Sequence, residues 1–372
     1  MSMVAERPRA AAVEPDRLEG FSAPREVDRL FGHDAALREF ADALASGRMH
    51  HAWLIVGPEG VGKATLAYHF VRMVLAECGA AHRTEAIDSG HPVFRKVAAL
   101  SHPNLLLLRR SFNEKTKRYS QFIGVDEVRR LKAFLGNTAG EEGWRVVIVD
   151  RADDLNQNAA NALLKALEEP PPRTLFVLIS GAEGRLPVTI RSRARVLRVA
   201  ALSKDDLENA VRAALARDDQ ESDARIIGAA LALSNGSVRR ALELISGEGV
   251  ELYDEIIAFF TELPELDGPR LHRLVDQIGG FSNTEQLELF IVLLLGLIER
   301  LIRFTATGEG ATREEQALAK RLISQGNLAE WAEAWEAISE AHAEALEYNL
   351  DRSLFALETW FRLQKLAREH PV

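Results

Sequence analysis

Cysteine is almost missing from this chain: Cys78 is the sole one in 372 residues. A disulfide framework within the chain is thereby excluded, and so is a zinc site built from several thiolates. Cys78 itself reads as a small buried apolar residue, and a reducing cytoplasm is the expected compartment. Long apolar runs are missing too. The longest, residues 289–298, is shorter than the roughly 20 residues a membrane span needs and is closed by Glu299 and Arg300. It is expected as a buried helix segment, and no membrane is expected among the partners. An excess of positive charge is also absent. The formal net charge is −9, so any contact with nucleic acid is expected to be local or shared with other proteins. No secretory leader is read either. Residues 1–24 carry Arg7, Pro8, Arg9, Pro15 and several alanines without an apolar core segment, and are expected to form a disordered arm.

What is present is enough apolar residue, 47%, to build the cores of the two or three domains that this length suggests. Between about 25 and 200, short apolar runs at 53–56, 105–108, 146–149, 175–179 and 195–199 alternate with helical patterns. Near-continuous apolar runs suit parallel strands covered on both faces, so a doubly wound α/β domain is expected over 25–200. After residue 199 only helical patterns remain. Ser203 is a candidate cap for the first of them, and a small helical domain is expected over 201–248, closed by a linker at Gly247-Glu248-Gly249. A second helical domain is expected over 249–372. Within it Trp331, Trp335 and Ile338 fall on one helical stripe and read as core.

The first apolar run leads into Gly57-Pro58-Glu59-Gly60-Val61-Gly62-Lys63-Ala64-Thr65, and a helix is expected from Lys63 to about 77. Strand, glycine loop and helix together aim free N–H groups and a helix dipole at one point, which favours a phosphate. Gly57, Gly60, Gly62 and Lys63 are the candidate phosphate ligands. The residue after Lys63 in such loops carries a hydroxyl that ligates Mg²⁺, and here it is Ala64. Thr65 has a hydroxyl one position late, rotated by about 100° on a helix. A second apolar run ends in Asp150, the acid expected across from the loop, where it would help hold Mg²⁺. In ATPases on this plan the next residue is often a Glu that polarises water. Here it is Arg151, which cannot give up its proton at working pH. Hydroxyl and base are thus both missing from an otherwise recognisable nucleotide site.

The string 156–171, Asn-Gln-Asn-Ala-Ala-Asn-Ala-Leu-Leu-Lys-Ala-Leu-Glu-Glu-Pro-Pro, resembles the helix and turn that follow the acidic strand in bacterial clamp-loader subunits of the AAA+ class. Leu30-Phe31-Gly32-His33 resembles the entry to the same module. Thr189-Ile190-Arg191-Ser192-Arg193-Ala194 resembles its Ser-Arg-Cys motif with Ala194 in place of the cysteine, and Gly236-Ser237-Val238-Arg239 resembles the second sensor of the lid. The resemblance covers about 25–246 and makes 249–372 the oligomerising collar. It implies a subunit of the DNA polymerase III holoenzyme that has lost ATP hydrolysis, through Ala64 and Arg151, but donates Arg193 as an arginine finger to a neighbour. Composition alone leaves Arg191, Arg193 and Arg195 as equal rivals; the resemblance assigns Arg193. The implied partners are the motor subunits and the delta subunit, and through the assembly the sliding clamp and primer–template DNA, with Lys165, Arg129 and Arg130 as candidate phosphate contacts. ATP held without hydrolysis at a vestigial site of Gly57, Gly60, Gly62, Lys63, Thr65, Asp150 and Arg239 stays open. So does the alternative of an active AAA+ ATPase, which Gly57, Gly62, Lys63 and Asp150 favour and Ala64 and Arg151 oppose. Relatives often carry a four-cysteine zinc module after the first helix of the domain. This chain has only Cys78 there, with His82, His91 and His102 nearby, so zinc is not expected and the histidines are expected at the surface.

Overall fold

The computed structural model describes residues 14–76, 87–113, 115–116, 118–136, 143–181, 183–247, 249–279, 284–348 and 350–370. The chain divides into two units, residues 1–243 and 244–372.

The first unit is built on alternation. In chain order it contains α1 (Asp34–Ala45), β1 (Ala52–Val56), α2 (Lys63–Leu75), α3 (Pro92–Ala98), β2 (Leu105–Leu108), β3 (Phe112–Asn113), β4 (Arg118–Tyr119), α4 (Val125–Gly136), β5 (Arg145–Val149), α5 (Gln157–Glu168), β6 (Thr174–Ser180), α6 (Val188–Arg191) and β7 (Arg195–Arg198). Every strand expected from an apolar run is present. Five strands form one parallel sheet in the order β2-β5-β6-β1-β7, while β3 and β4 make a separate antiparallel hairpin. Successive side chains of a strand face opposite ways, and the sheet uses both directions. Trp53, Ile55, Val146, Ile148, Leu175 and Val177 enter one core with α1 and α2. Leu54, Val56, Val147, Val149, Phe176 and Leu178 enter a second core with α4 and α5. This is the doubly wound α/β class.

Three helices, α7 (Lys204–Arg217), α8 (Ala224–Leu233) and α9 (Val238–Ser246), follow the sheet. Ser203 caps α7, its hydroxyl accepting from the Asp206 N–H at 3.1 Å. The division into two units falls inside α9, so α7 and α8 go with the sheet. The expected linker is also shorter than read, because Gly249 already belongs to the next helix.

The disordered arm expected over 1–24 is corrected for its second half. Residues 14–24 pack on the unit: Phe21 and Ala23 are buried, and the Ser22 N–H donates to Asp218 on the residue after α7. Arginines account for much of the ordering. Arg25 reaches the Ala98 carbonyl at 2.7 Å and pairs with Glu14, and buried Arg72 of α2 donates to the carbonyls of Val27 and Arg25. Residues 1–13 lie outside the described residues.

The second unit holds α10 (Gly249–Glu262), α11 (Gly268–Gly279), α12 (Thr284–Thr307), α13 (Arg313–Leu322), α14 (Leu328–Tyr348) and α15 (Arg352–Glu369). Its core is aromatic: Phe259, Phe260 and Phe290 surround Trp360 with ring centroids 5.0–6.2 Å apart, and Trp331 lies 6.3 Å from Phe260. Trp331 and Ile338 are fully buried, as their stripe predicts; Trp335 is partly buried and donates to the Leu295 carbonyl. Among the described residues no helix is long and apolar enough to cross a membrane.

Candidate functional site

The glycine loop joins β1 to α2, and its shape depends on backbone angles that side chains resist. Gly60 has φ +75° and Gly62 φ +99°. Gly60 is doubly constrained, since a Cβ there would run into Ser237 Oγ and lie 2.8 Å from Arg239 Cβ. The Arg239 N–H donates to the Gly60 carbonyl at 3.2 Å, so the start of α9 sits directly on the loop. His33, at the entry to α1, hydrogen-bonds through Nε2 to the Val61 carbonyl at 2.7 Å.

Lys63 does not point into open space. Its ammonium donates to the carbonyl of Gly57 at 2.8 Å and to that of Pro58, and the side chain is buried. Burial lowers its pKa, with Glu59 and Asp153 opposing that shift. Gly57 thus lies at the foot of the loop as the lysine's acceptor. Thr65 borders the same cavity as Lys63 and Ala64, a space of about 420 Å³ that also meets Asp150 and Arg239. Of the phosphate-site candidates read from the sequence, Gly60, Gly62, Lys63, Thr65, Asp150 and Arg239 therefore converge. Arg239 turns its guanidinium toward Glu243, one turn along α9, with Nε 2.8 Å from the carboxylate.

Asp150 follows β5 and its N–H donates to the Leu108 carbonyl of β2. Desolvation, reinforced by nearby Asp16 and opposed by Arg109 and Arg151, pushes its carboxyl up to about 7. Ala64 offers no hydroxyl beside it, so the magnesium ligand that such a loop supplies is missing here. Arg151, at φ +62°, pairs with Asp154 at 3.2 Å and Glu59 at 3.4 Å, so a fixed cation lies where hydrolysis would need a base.

The three rival arginines separate clearly. Arg195 is engaged by its own unit, with Glu39 at 2.8 Å and the Trp53 ring 4.8 Å beneath its guanidinium. Arg191 is only partly exposed, and its Nε is buried without a hydrogen-bond partner among the described residues. Arg193 lies outside the loop cavity on the residue pair after α6. It is 36% exposed, and it contacts Glu168 at 2.8 Å and the Thr189 carbonyl at 3.0 Å. Lys165 is exposed on α5, while Arg129 and Arg130 are exposed on α4 and paired with Asp126 and Glu127.

Sequence reasoning missed the cavity wall made by the N-terminal segment, where Asp16, Leu18 and Phe21 face the loop. Arg109 fixes that segment through Asp16 at 3.1 Å and Glu14 at 3.5 Å. Leu18 and Phe21 were the available signal, two large apolar residues in a polar stretch. His102 is corrected as well: it is buried, its Nδ1 accepting from the Asn104 N–H in the turn before β2. His91 is exposed and caps α3, whereas Cys78 and His82 lie outside the described residues.

The family model described as DNA polymerase III, delta subunit, matches residues 32–203. The DNA polymerase III subunit delta' of Pseudomonas aeruginosa is 38% identical over 208 residues, 54% of this chain and 57% of that protein. The subunit gamma of Buchnera aphidicola subsp. Schizaphis graminum is 27% identical over 230 residues, 60% of this chain and 58% of that protein. The chain thus spans a little over half the length of these curated relatives. A solved gamma subunit-related protein from Thermotoga maritima aligns over 90% of this chain and 99% of its own, with 17% identity and a TM-score of 0.37. The chain thus resembles DNA polymerase III subunits over a little under half to about three fifths of its length.

Proposed function

We propose that the chain serves as the delta-prime subunit of the clamp loader, an AAA+ subunit that does not hydrolyse ATP itself. The observation that carries this reading is the loop cavity: Ala64 stands at the magnesium position, and Arg151, paired with Asp154 and Glu59, occupies the base position. Lys63 bound to the loop's own carbonyls supports a vestigial site, since it would have to leave both acceptors before reaching a phosphate. In this role Arg193 acts in trans. A planar guanidinium beside a neighbour's γ-phosphate stabilises the charge that shifts in the transition state. Its partial exposure and its position outside the chain's own cavity favour that use over service to its own loop.

The assembled complex would join this chain to the motor subunits and the delta subunit, with residues 249–372 in the collar. It would open the sliding clamp and place it on primed DNA in the cytoplasm. ATP turnover tests the reading. The isolated chain is expected to release no phosphate above background with magnesium. In the reconstituted loader Arg193→Ala is expected to slow the site it serves by roughly 10² or more. Robust magnesium-dependent hydrolysis by the chain alone would instead mark it as a motor subunit.

A further inference from the structure

The unit's exposed large apolar side chains are few: Phe112, Phe122 and Val188 among the described residues. Two of these three lie ten residues apart, on and just beyond the β3–β4 hairpin. Phe112 is 37% exposed and Phe122 50%. Phe112 stands opposite Tyr119 in the hairpin register, with ring centroids 5.1 Å apart and planes tilted by 59°. Hydrogen bonds hold the base of the hairpin, from the Ser120 N–H to the Ser111 carbonyl and between the two serine hydroxyls. The aromatic pair is therefore mounted on a short ordered ribbon outside the main sheet.

The surrounding charge is opposite to that of the whole chain. Between 109 and 132 the sequence has eight Lys or Arg and three Asp or Glu, a local excess of five positive charges in a chain of net −9. Arg109 and Arg110 are committed to Asp16 and Asp154, and Arg129 and Arg130 are paired along α4. Lys115 and Lys132 are exposed and form no ion pair among the described residues. Cations track a phosphate backbone, and exposed aromatic rings stack on unpaired bases, which every base allows. A duplex keeps its bases stacked on each other and offers such rings little.

We propose that the β3–β4 hairpin, with Phe112 and Tyr119 on it, Phe122 just beyond it, Lys115 in its turn and Lys132 on the helix that follows, is a contact surface for single-stranded DNA. The choice of DNA as partner rests on the proposed function; the binding itself needs no other subunit and no hydrolysis. The test uses the full chain and a fluorescein-labelled oligodeoxythymidylate, read by anisotropy at low salt. Phe112→Ser with Phe122→Ser is expected to weaken binding at least tenfold, within the factor of roughly 5 to 150 that one stacked base supplies. Phe112→Trp is expected to keep or tighten binding, which separates stacking from misfolding. Lys115→Glu with Lys132→Glu is expected to weaken binding and flatten its dependence on salt. Four outcomes would overturn the proposal: no binding, binding unchanged in the serine variant, duplex DNA bound as tightly as the single strand, or a polyglutamate peptide displacing the oligonucleotide. Because Arg193 plays no part, the serine variant and Arg193→Ala separate the two readings. Serine-variant binding as tight as the wild type's, with normal trans-activation of the neighbour, would sink this proposal alone; normal turnover of the loader with Arg193→Ala, with binding lost in the serine variant, would sink the other alone.

Discussion

Asp150 shows how a single side chain records the state of the site. Its carboxyl is raised from an ordinary 3.8 to about 7 by desolvation and by Asp16. The sign follows from proton linkage. Between those two values the folded chain holds a proton that the unfolded chain has released, so this group's contribution favours folding at low pH and is lost as pH rises through about 7. Replacing it with Asn removes that titration. The stability of Asp150→Asn relative to the wild type is expected to increase from pH 4 to about 7 and then level off, measured by urea unfolding at each pH. A difference that stays flat with pH would mean the carboxyl is ionised throughout and available to a metal. Arg193 makes the converse point. Its pair with Glu168 is exposed on both sides, 36% and 48%, and such pairs contribute about 0–1 kcal/mol. Glu168→Ala is therefore expected to leave stability within about 1 kcal/mol by the same assay, as the proposed turn of Arg193 toward a neighbour's phosphate requires.

The contact between the glycine loop and α9 carries a sharper prediction, because it joins two elements through backbone. Alanine at Gly60 meets both a left-handed φ and the Ser237 and Arg239 side chains. The conformational strain alone costs about 1–2 kcal/mol, and the clash adds to it unless α9 withdraws. Gly60→Ala is expected to lower stability by at least that amount and to speed amide exchange at 237–243. Unchanged exchange there would show that the loop yields instead. Elements of this kind were largely legible in the sequence. Four of the five sheet strands are largely apolar runs that the sheet's two cores cover, while β7 sets Val196 and Leu197 between the exposed Arg195 and Arg198. The loop's glycines and the cap at Ser203 also follow local rules. The N-terminal segment was not legible, because its order comes from Arg25, Arg72 and Arg109, whose acceptors lie up to 93 residues away in sequence. His102 was misplaced for a similar reason: a polar residue is buried only when a specific partner is at hand, and spacing does not show that. Lys63 and Asp150 could be named from their motifs, but the inward turn of one and the protonation of the other depend on packing.

At the scale of the molecule, the two units are stabilised by different means, and a substitution should reach only one of them. The first has two apolar cores on the faces of a sheet. The second has an aromatic core together with a charged pair inside it: Arg300 meets Glu315 at 2.8 Å, and Tyr253 bonds to both. Glu315 is fully buried and also completes the capping box of α13 with Thr312. Deleting one member of such a pair strands the other charge away from water, at a cost of about 3–5 kcal/mol, whereas replacing both with apolar residues of similar volume is often tolerated. Glu315→Ala is thus expected to destabilise residues 244–372 by that amount, and Glu315→Met with Arg300→Met to recover much of the loss. Hydrogen exchange read by peptide distinguishes the units directly. Protection should fall across the helices from α10 to α15 in Glu315→Ala while the strands of the first unit keep theirs. If the sheet lost protection equally, the units would unfold as one, and the cost of a buried charge in the helical unit would also fall on the glycine loop.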